Sequence, residues 1–298
     1  MQPVYDNHKE AYKTLLTDEH QIHRESWLEQ DTLDTWRHNR IRAPIEVFVK
    51  NSAKHSWLTV GDGRYGLDGA FLLGLGAKSV HCSDISDSLL EIAFSRNLIN
   101  EYSEQNAESL KFHDNAFDYV YCKESLHHFP RPYVALHEMF RVARLGVIIT
   151  EPRDYTVEKS ILSATRDIIK SIVGRKPYRE NNHEPVGNYV YTFSERELEK
   201  FLLGMHFTNI SFFDTNDAYI EGGEYIKLGS NARRDKELIN QFMREIKRAD
   251  FLTRHRIRPA NLITAALFKN PPSPTLLVAL ERYGWKTKTL PKNPWIAK

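Results

Sequence analysis

A glycine-rich turn between a buried strand and an apolar helix is the feature that most constrains how this chain folds. Residues 57–60 (WLTV) are typical of a short buried strand, and residues 67–75 carry apolar side chains at helical spacing before Gly76, a helix-ending residue. Residues 61–66 (GDGRYG) join them in a G-x-G-x-x-G pattern. Its glycines allow a sharp turn and the close approach of a bound group. Plain turns also have this pattern, so alone it predicts only a candidate binding loop.

The alternation of strand and helix continues downstream of the loop. Strand-like stretches at residues 79–83, 117–122 and 146–150 are separated by helical stretches, one of which, residues 132–144, begins with a proline. A strand near residues 103–106 has a weaker pattern. This alternation predicts an α/β protein with a mostly parallel sheet and helices on both faces.

The two ends of the chain have a different character. The first fifty residues are polar and helix-like, with Pro44 as a break, and the end from Trp285 onward is basic and interrupted by prolines. Further elements are expected at residues 194–203 (a helix opened by a capping box), 209–213 (strand), 232 onward (helix), 262–268 (strand) and 274 onward (helix). The predicted regions are a helical cap (1–50), a core (51–214), a basic insertion (215–260) and a last core strand with a basic tail (261–298).

Several classes of protein are disfavoured by composition and motif. No apolar stretch approaches the roughly 18 residues of a transmembrane helix, and the N-terminus lacks a signal-peptide pattern. The two cysteines, Cys82 and Cys122, lie in apolar runs, which favours buried free thiols in a reducing compartment and predicts a cytoplasmic protein. No metal-ligand spacing and no G-x-S-x-G motif occur, so we expect neither a metal site nor a serine hydrolase.

Charge is distributed unevenly along a chain whose formal net charge is only +2. Residues 232–298 hold 15 Lys and Arg against 5 Asp and Glu, a net of +10, so residues 1–231 carry −8. A solvated basic helix is the ordinary explanation. No nucleic-acid partner is expected, since no RNA-binding module accompanies the charge, and peripheral contact with an anionic membrane remains open. We favour another explanation, in which Arg254, Arg256 and Arg258 bind an anionic sugar.

An acidic residue at the end of the second strand strengthens the case for the glycine loop. Asp84 follows Gly61 by 23 residues, where a carboxylate can accept hydrogen bonds from both ribose hydroxyls of a cofactor. Taken singly, a solvated aspartate in a turn explains this residue equally well. Loop and acid together favour a nucleoside-containing cofactor without separating a nicotinamide enzyme from one that uses S-adenosylmethionine.

The next segment separates these two classes. NAESLKFHDNAFDYVYCKESLHHF, followed by EMFRVARLG and VIITEP, resembles the class I S-adenosylmethionine-dependent methyltransferases, especially the ubiquinone/menaquinone-biosynthesis branch, over about residues 56–152. The resemblance implies a Rossmann-like, mostly parallel seven-stranded sheet that ends in an antiparallel pair. It also implies a methyltransferase whose cofactor is S-adenosyl-L-methionine.

Position by position, the resemblance implies cofactor contacts at the loop and at two strand ends. Thr59 stands where the family often has an acid, so Asp62 is a candidate for the cofactor's amino group. The implied contacts are Gly61, Gly63 and Gly66 to the methionine and sugar, Asp84 to the ribose, Ile85, Asn106 and Ala107 to the adenine, and Lys123 along the cofactor.

The candidate catalytic residues follow the strands of residues 117–122 and 146–150. His127 and His128 lie at the carboxyl edge of the sheet, where α/β proteins bind ligands, and Glu151 is the alternative base. Either histidine could instead only order its turn. Asp154 and His183 are further candidates, and we expect residues 153–193, together with the basic insertion, to shape the acceptor site. We expect methyl transfer to a small-molecule or sugar hydroxyl; the alternatives are a nicotinamide oxidoreductase and a non-catalytic cofactor-binding protein.

Overall fold

The computed structural model of the chain describes residues 2–159, 165 and 182–296 and shows one mixed sheet. Part of residues 153–193, which we expected to shape the acceptor site, lies outside the described residues. The order of the strands is β3-β2-β1-β4-β5-β7-β6-β8. Their bounds are β1 (Ser56–Val60), β2 (Ser79–Asp84), β3 (Glu101–Glu104), β4 (Phe117–Lys123), β5 (Ala143–Pro152), β6 (Asn209–Thr215), β7 (Leu262–Phe268) and β8 (Lys286–Thr289).

The first five strands are parallel, as the alternation of strand and helix predicts. β7 is antiparallel to both β5 and β6, which confirms the expected antiparallel pair. The predicted count of seven strands is wrong, because β8 pairs with β6 as an eighth, antiparallel edge strand. Its sequence, KTKT, is short, mostly exposed and rich in lysine, which protects an edge strand from further pairing but conceals it in the sequence.

Helices cover both faces of the sheet. The helices are α1 (Gln2–Leu15), α2 (Gln21–Ser26), α3 (Leu33–Arg42), α4 (Glu46–Asn51), α5 (Leu67–Gly74), α6 (Ser88–Ser95), α7 (Pro132–Val142), α8 (Glu195–Gly204), α9 (Arg233–Arg254) and α10 (Pro274–Tyr283). One core cluster joins α7 and α8 to the sheet, with Leu136 and Leu198 among its members. On the other face α4, α5, α6 and α10 pack around Phe48 and Trp57.

The basic insertion packs on the N-terminal cap. Phe242 and Ile246 of α9 form a small core cluster with Leu33 of α3, and Trp36 packs edge-on against Phe242 with ring centroids 5.7 Å apart. Arg40 of α3 also lies 2.6 Å from Asp250 of α9. The predicted cap and insertion are therefore in direct contact, a relation that their separation in sequence did not reveal.

Three local expectations can be checked directly. The capping box of α8 is present, with the Ser194 hydroxyl accepting from the Glu197 N–H and the Glu197 carboxylate accepting from the Ser194 N–H. Cys82 and Cys122 are free and buried. No helix among the described residues is both long enough and apolar enough to pass through a bilayer.

Candidate functional site

The glycine loop begins with a residue that is forced to be glycine by its neighbour. Gly61 has a φ of +75°, and a Cβ there would lie 2.4 Å from the Cβ of Ser125. The Ser125 hydroxyl donates to the Gly61 carbonyl at 2.7 Å. The missing side chain of Gly61 therefore brings the loop after β4 against the loop after β1.

The second glycine of the loop leaves space beside Asp84. A Cβ on Gly63 would lie 2.0 Å from the Tyr12 hydroxyl and 2.8 Å from the Asp84 carboxyl carbon. Gly66 has a different surrounding, because a Cβ there would meet Ile99 at 2.9 Å. Gly63 thus shapes the ligand side of the loop, whereas Gly66 permits packing against the sheet side and lines neither of the cavities described next.

Two adjoining cavities open at the carboxyl ends of β1, β2 and β4. The first, of about 380 Å³, is lined by Asp84, Ile85, Asn106 and Ala107 together with one face of α1. The second, of about 510 Å³, is lined by Asp62, Gly63, Lys123, His127 and residues of α3. Gly61, Ser125 and His128 line both cavities, as do Tyr12, Trp27 and Arg64. Most of the predicted site residues are brought together here, while Gly66 and Glu151 lie outside the cavity walls.

The Asp62 carboxylate is anchored within its own loop. It accepts from the Thr59 hydroxyl at 2.8 Å and from the backbone N–H groups of Asp68 and Gly69 at 3.0 and 2.9 Å. Burial, together with the nearby Asp68 carboxylate, raises the pKa of Asp62 to about 7. Asp62 therefore stabilises the start of α5, and its contact with the cofactor's amino group stays a prediction.

Asp84 is buried at the end of β2. Burial raises the pKa of Asp84 to about 6, although hydrogen bonds from the backbone N–H of Ser86 and from the Tyr12 hydroxyl oppose the rise. The Tyr12 hydroxyl thus occupies part of the acceptor capacity of the predicted ribose-binding carboxylate. Sequence reasoning missed α1 as part of the site, because only its tertiary placement brings Tyr5, His8 and Tyr12 to the first cavity.

The expected adenine side of the site is a tight turn. The Asn106 side-chain oxygen accepts from the backbone N–H of Glu108 at 2.9 Å. Glu108 in turn accepts from the Tyr5 hydroxyl at 2.7 Å and pairs with Arg131. The oxygen of Asn106 therefore orders its own turn, and the contact predicted from it to an adenine amine would be shared with that bond.

Charges in the wall of the second cavity are paired across helix and sheet. Arg42 of α3 lies 2.6 Å from Asp68, and Lys123 of β4 lies 3.7 Å from the same carboxylate. Arg37 is 2.6 Å from Asp217 and 3.5 Å from Glu124. These cations are matched by carboxylates already present in the structure, so the wall offers no unpaired site for an anion at these positions.

His127 is held by a buried carboxylate at the end of β5. Its Nδ1 lies 2.5 Å from Glu151, which is fully buried and also accepts from the backbone N–H of Leu126 at 2.9 Å. Burial alone would lower the pKa of His127, but the Glu151 carboxylate reverses the effect and raises this pKa above its ordinary value. With Nδ1 donating to Glu151, Nε2 is the ring atom left to accept a proton.

The other histidines of the site differ from His127. His128 places Nδ1 2.8 Å from Glu184, and burial lowers the pKa of His128. His38 of α3 also lines the second cavity, and burial, reinforced by Lys123, lowers its pKa well below the ordinary value. Sequence analysis did not single out His38, because nothing in the cap's sequence indicates that α3 faces the cavity.

The arginines expected to hold the acceptor are placed elsewhere. Arg254 ends α9, Arg256 and Arg258 follow it, and none of the three lines either cavity. α9 packs on the cap through Phe242 and Ile246, and contact between these arginines and the acceptor stays a prediction. Asp154 and His183 line neither cavity either.

Residues 58–150 match the family model described as a methyltransferase domain. The chain contains a class I methyltransferase domain. It is an S-adenosylmethionine-dependent enzyme, which confirms the resemblance seen in the sequence. No curated protein matches the sequence.

Solved structures similar to the chain share little sequence with it. YcgJ of Bacillus subtilis is 16 % identical, with a TM-score of 0.47 over 77 % of this chain and 99 % of that one. Magnesium protoporphyrin IX methyltransferase of Synechocystis is 16 % identical, with a TM-score of 0.45 over 78 % and 84 %. A methyltransferase of Archaeoglobus fulgidus is 14 % identical, with a TM-score of 0.44 over 76 % and 94 %. These similarities are remote, so the acceptors of those proteins do not indicate the acceptor of this one.

Proposed function

We propose that this methyltransferase transfers a methyl group to a hydroxyl of a polar, uncharged small molecule of the sugar type. The observation that carries the proposal is that His127, in the wall of the second cavity, is held from behind by the buried carboxylate of Glu151. A hydroxyl nucleophile must lose its proton, and a histidine oriented by a carboxylate is suited to accept it. An amine or carbon acceptor would have less need of this pair.

The residues of the first cavity fit the adenosine part of S-adenosylmethionine. Gly63 leaves a space beside Asp84 that a single Cβ would fill, and the Asp84 carboxylate lies in the wall of that cavity. Asp84 would hold the ribose hydroxyls, with Ile85 and Ala107 against the base. The methionine end would extend past Gly61 toward Lys123, in the second cavity.

The character of the second cavity supports an uncharged acceptor. Four cationic side chains and four carboxylates line it: Arg37, Arg42, Arg64 and Lys123, and Asp34, Asp62, Asp68 and Glu124. Three of the cations lie within 3.7 Å of a carboxylate, and Arg64 lies over the Trp27 ring at 4.7 Å. Such a wall can donate hydrogen bonds to hydroxyl groups and accept them. Because its charges balance, it does not favour a charged acceptor over a neutral one. This replaces the anionic sugar expected from the sequence.

The chain's own groups have three tasks in the reaction. When bound, S-adenosylmethionine supplies a methyl group made electrophilic by its sulfonium. α1 and Trp27 cover the first cavity and exclude water, while α3 and the loop after β4 orient the acceptor. His127 Nε2 accepts the hydroxyl proton, and Glu151 holds the ring and stabilises the imidazolium that forms.

The assay that tests the proposal measures transfer of radiolabelled methyl from S-adenosylmethionine to a panel of sugars, sugar phosphates, amines and catechols. We expect activity with neutral sugars that exceeds activity with the corresponding phosphates. Transfer to amines alone would contradict the hydroxyl acceptor. Binding of S-adenosylmethionine without transfer to any sugar in the panel would contradict the sugar-type acceptor.

The Tyr12 hydroxyl competes with the predicted ribose site, so we expect Tyr12→Phe to bind S-adenosylmethionine about tenfold more tightly. A hydrogen bond to a charged group contributes about 1.5–3 kcal/mol, and the variant releases Asp84 from one. Tyr5→Phe is the matched control, because the Tyr5 hydroxyl donates to Glu108 instead. Isothermal calorimetry measures both. Weaker binding by Tyr12→Phe would mean that the hydroxyl helps to hold the cofactor.

A further inference from the structure

The outward face of α9 carries a row of cations over its last three turns. Arg244, Lys247, Arg248, Phe251 and Arg254 recur at helical spacing on the side opposite the buried Phe242 and Ile246. Arg256 continues the row just beyond the helix. All six outward residues are exposed, and we call Arg244, Lys247, Arg248, Phe251, Arg254 and Arg256 the cationic face.

The cations of this face have no carboxylate partners among the residues that the structure describes. Arg244 donates to the backbone carbonyl of Asn240 at 3.2 Å, and no carboxylate of residues 2–159, 165 or 182–296 lies within 4.0 Å of any of the five cations. Elsewhere on the same helix, pairing is present: Arg233 lies 2.8 Å from Glu237, and Asp250 pairs with Arg40. Glu245 is the neighbouring acid on the flank of the face. The five cationic side chains are therefore available to interact with solvent or with a partner.

Apolar side chains lie among these cations. Phe251 is 58 % exposed and Ile257 is 39 % exposed. The Phe251 ring is close to that of His255, with centroids 4.4 Å apart, and has no place in the core of the cap. A large exposed aromatic among cations is a pattern of surfaces that rest on the headgroup region of a bilayer.

The backbone after α9 adds an independent observation. Arg256 has a φ of +56°, and the next residue, Ile257, donates its N–H to the carbonyl of Leu252. This is the helix-ending position at which glycine is favoured because it avoids strain. An arginine at this position carries a conformational cost, and its side chain extends the cationic face.

We propose that the cationic face docks the enzyme on an anionic lipid surface. Each Lys or Arg brought near such a surface increases binding about fivefold, and Phe251 and Ile257 supply the apolar contact that makes the attachment more than diffuse attraction. None of these residues lines either cavity, so docking leaves the site open. A favourable interaction with the helix dipole would explain why a cation occupies position 254, in the last turn of α9. It would not explain the cation at Arg244 or the exposed side chain of Phe251.

The charge of the rest of the chain favours a bilayer over nucleic acid. Residues 1–231 carry −8, so a polyanion long enough to wrap the molecule would meet repulsion outside α9. A flat bilayer touches a single face. The one aromatic of the cationic face also lies against His255, whereas single-stranded nucleic acid uses rows of aromatics for stacking.

Sedimentation with vesicles tests the proposal on the full chain. We expect binding to vesicles of phosphatidylcholine with phosphatidylglycerol at low salt, weak binding to phosphatidylcholine alone, and release at high salt. Arg248→Gln/Arg254→Gln should weaken binding about 25-fold, from two contributions of about fivefold each. Phe251→Ala should weaken it further without changing charge. The control is Lys54→Gln/Lys78→Gln, which removes the same charge from two exposed lysines near the start of β1 and β2.

Three outcomes would overturn the proposal. The first is equal binding to both kinds of vesicle, or none to either. The second is equal weakening of vesicle binding by Arg248→Gln/Arg254→Gln and by Lys54→Gln/Lys78→Gln. This result would mean that binding depends on the net charge of the protein and not on the cationic face. The third is tighter binding of single-stranded RNA than of anionic vesicles. Circular dichroism and the binding of S-adenosylmethionine verify that each variant is folded.

Discussion

His127→Asn should lower kcat by a factor of about 10²–10⁴ while leaving the affinity for S-adenosylmethionine unchanged, because it removes the proton acceptor Nε2. The asparagine amide can still donate to Glu151 in place of Nδ1, so the buried carboxylate keeps its partner. His128→Asn is the matched comparison, since the carboxylate that holds the His128 ring at 2.8 Å, Glu184, is 35 % exposed and not buried. Steady-state kinetics on the best acceptor from the panel measure both variants.

The pH dependence of kcat tests the same role of His127, because its direction can be predicted. A base must be neutral to act, so wild-type kcat should fall as pH falls through the pKa of His127, which Glu151 raises above about 6.5. Glu151→Gln removes the carboxylate and leaves burial, which lowers the pKa of His127. The acidic limb should therefore move to lower pH in Glu151→Gln, together with a loss of rate from poorer orientation of the ring.

Two results would contradict the role of His127. Full turnover of His127→Asn across the neutral range would mean that the acceptor needs no base or uses another one. His38 is the alternative to test then, because it also lines the second cavity and its low pKa keeps it neutral. An unmoved acidic limb in Glu151→Gln would separate the pH dependence from this pair.

The sheet could be predicted from the sequence where strands are buried on both faces. β1, β4 and β5 are continuous apolar runs next to turn residues, so their pattern is local and strong. β3 was expected at residues 103–106 and lies two residues earlier, because a short, half-exposed strand gives a weak pattern. β8 was missed because its pairing with β6 depends on tertiary placement.

The candidate site could be predicted from the sequence where its residues directly follow buried strands. Residues that follow strands, such as Asp84, His127 and Glu151, share one edge of the sheet by topology, so the sequence could group them. The cap supplied what sequence could not: Tyr12 against Asp84, and Arg37 and His38 in the second cavity. The basic insertion was assigned to the acceptor from its charge and from its position between the last two strands, and neither indicates on which face a helix packs.

Gly63→Ala should weaken S-adenosylmethionine binding by roughly ten- to a hundredfold, the equivalent of about 1–3 kcal/mol of steric conflict in a packed site. The added Cβ would lie 2.8 Å from the Asp84 carboxyl carbon, and the Ser86 N–H fixes that carboxylate. Gly74→Ala is the control, because a Cβ there meets nothing within 4 Å. Calorimetry should show its affinity unchanged.

A double variant separates the two contacts of the Gly63 Cβ. Tyr12 is the nearer neighbour, at 2.0 Å from the added atom, but its side chain is half-buried and can turn away. Adding Tyr12→Ala to Gly63→Ala removes that contact and leaves the conflict with Asp84. We expect the double variant to bind more weakly than Tyr12→Ala alone, because the Ser86 N–H still holds the Asp84 carboxylate against the added Cβ. Equal affinity of the double variant and Tyr12→Ala would assign the conflict to Tyr12 and would make α1, not Asp84, the wall against which the glycine loop is fitted.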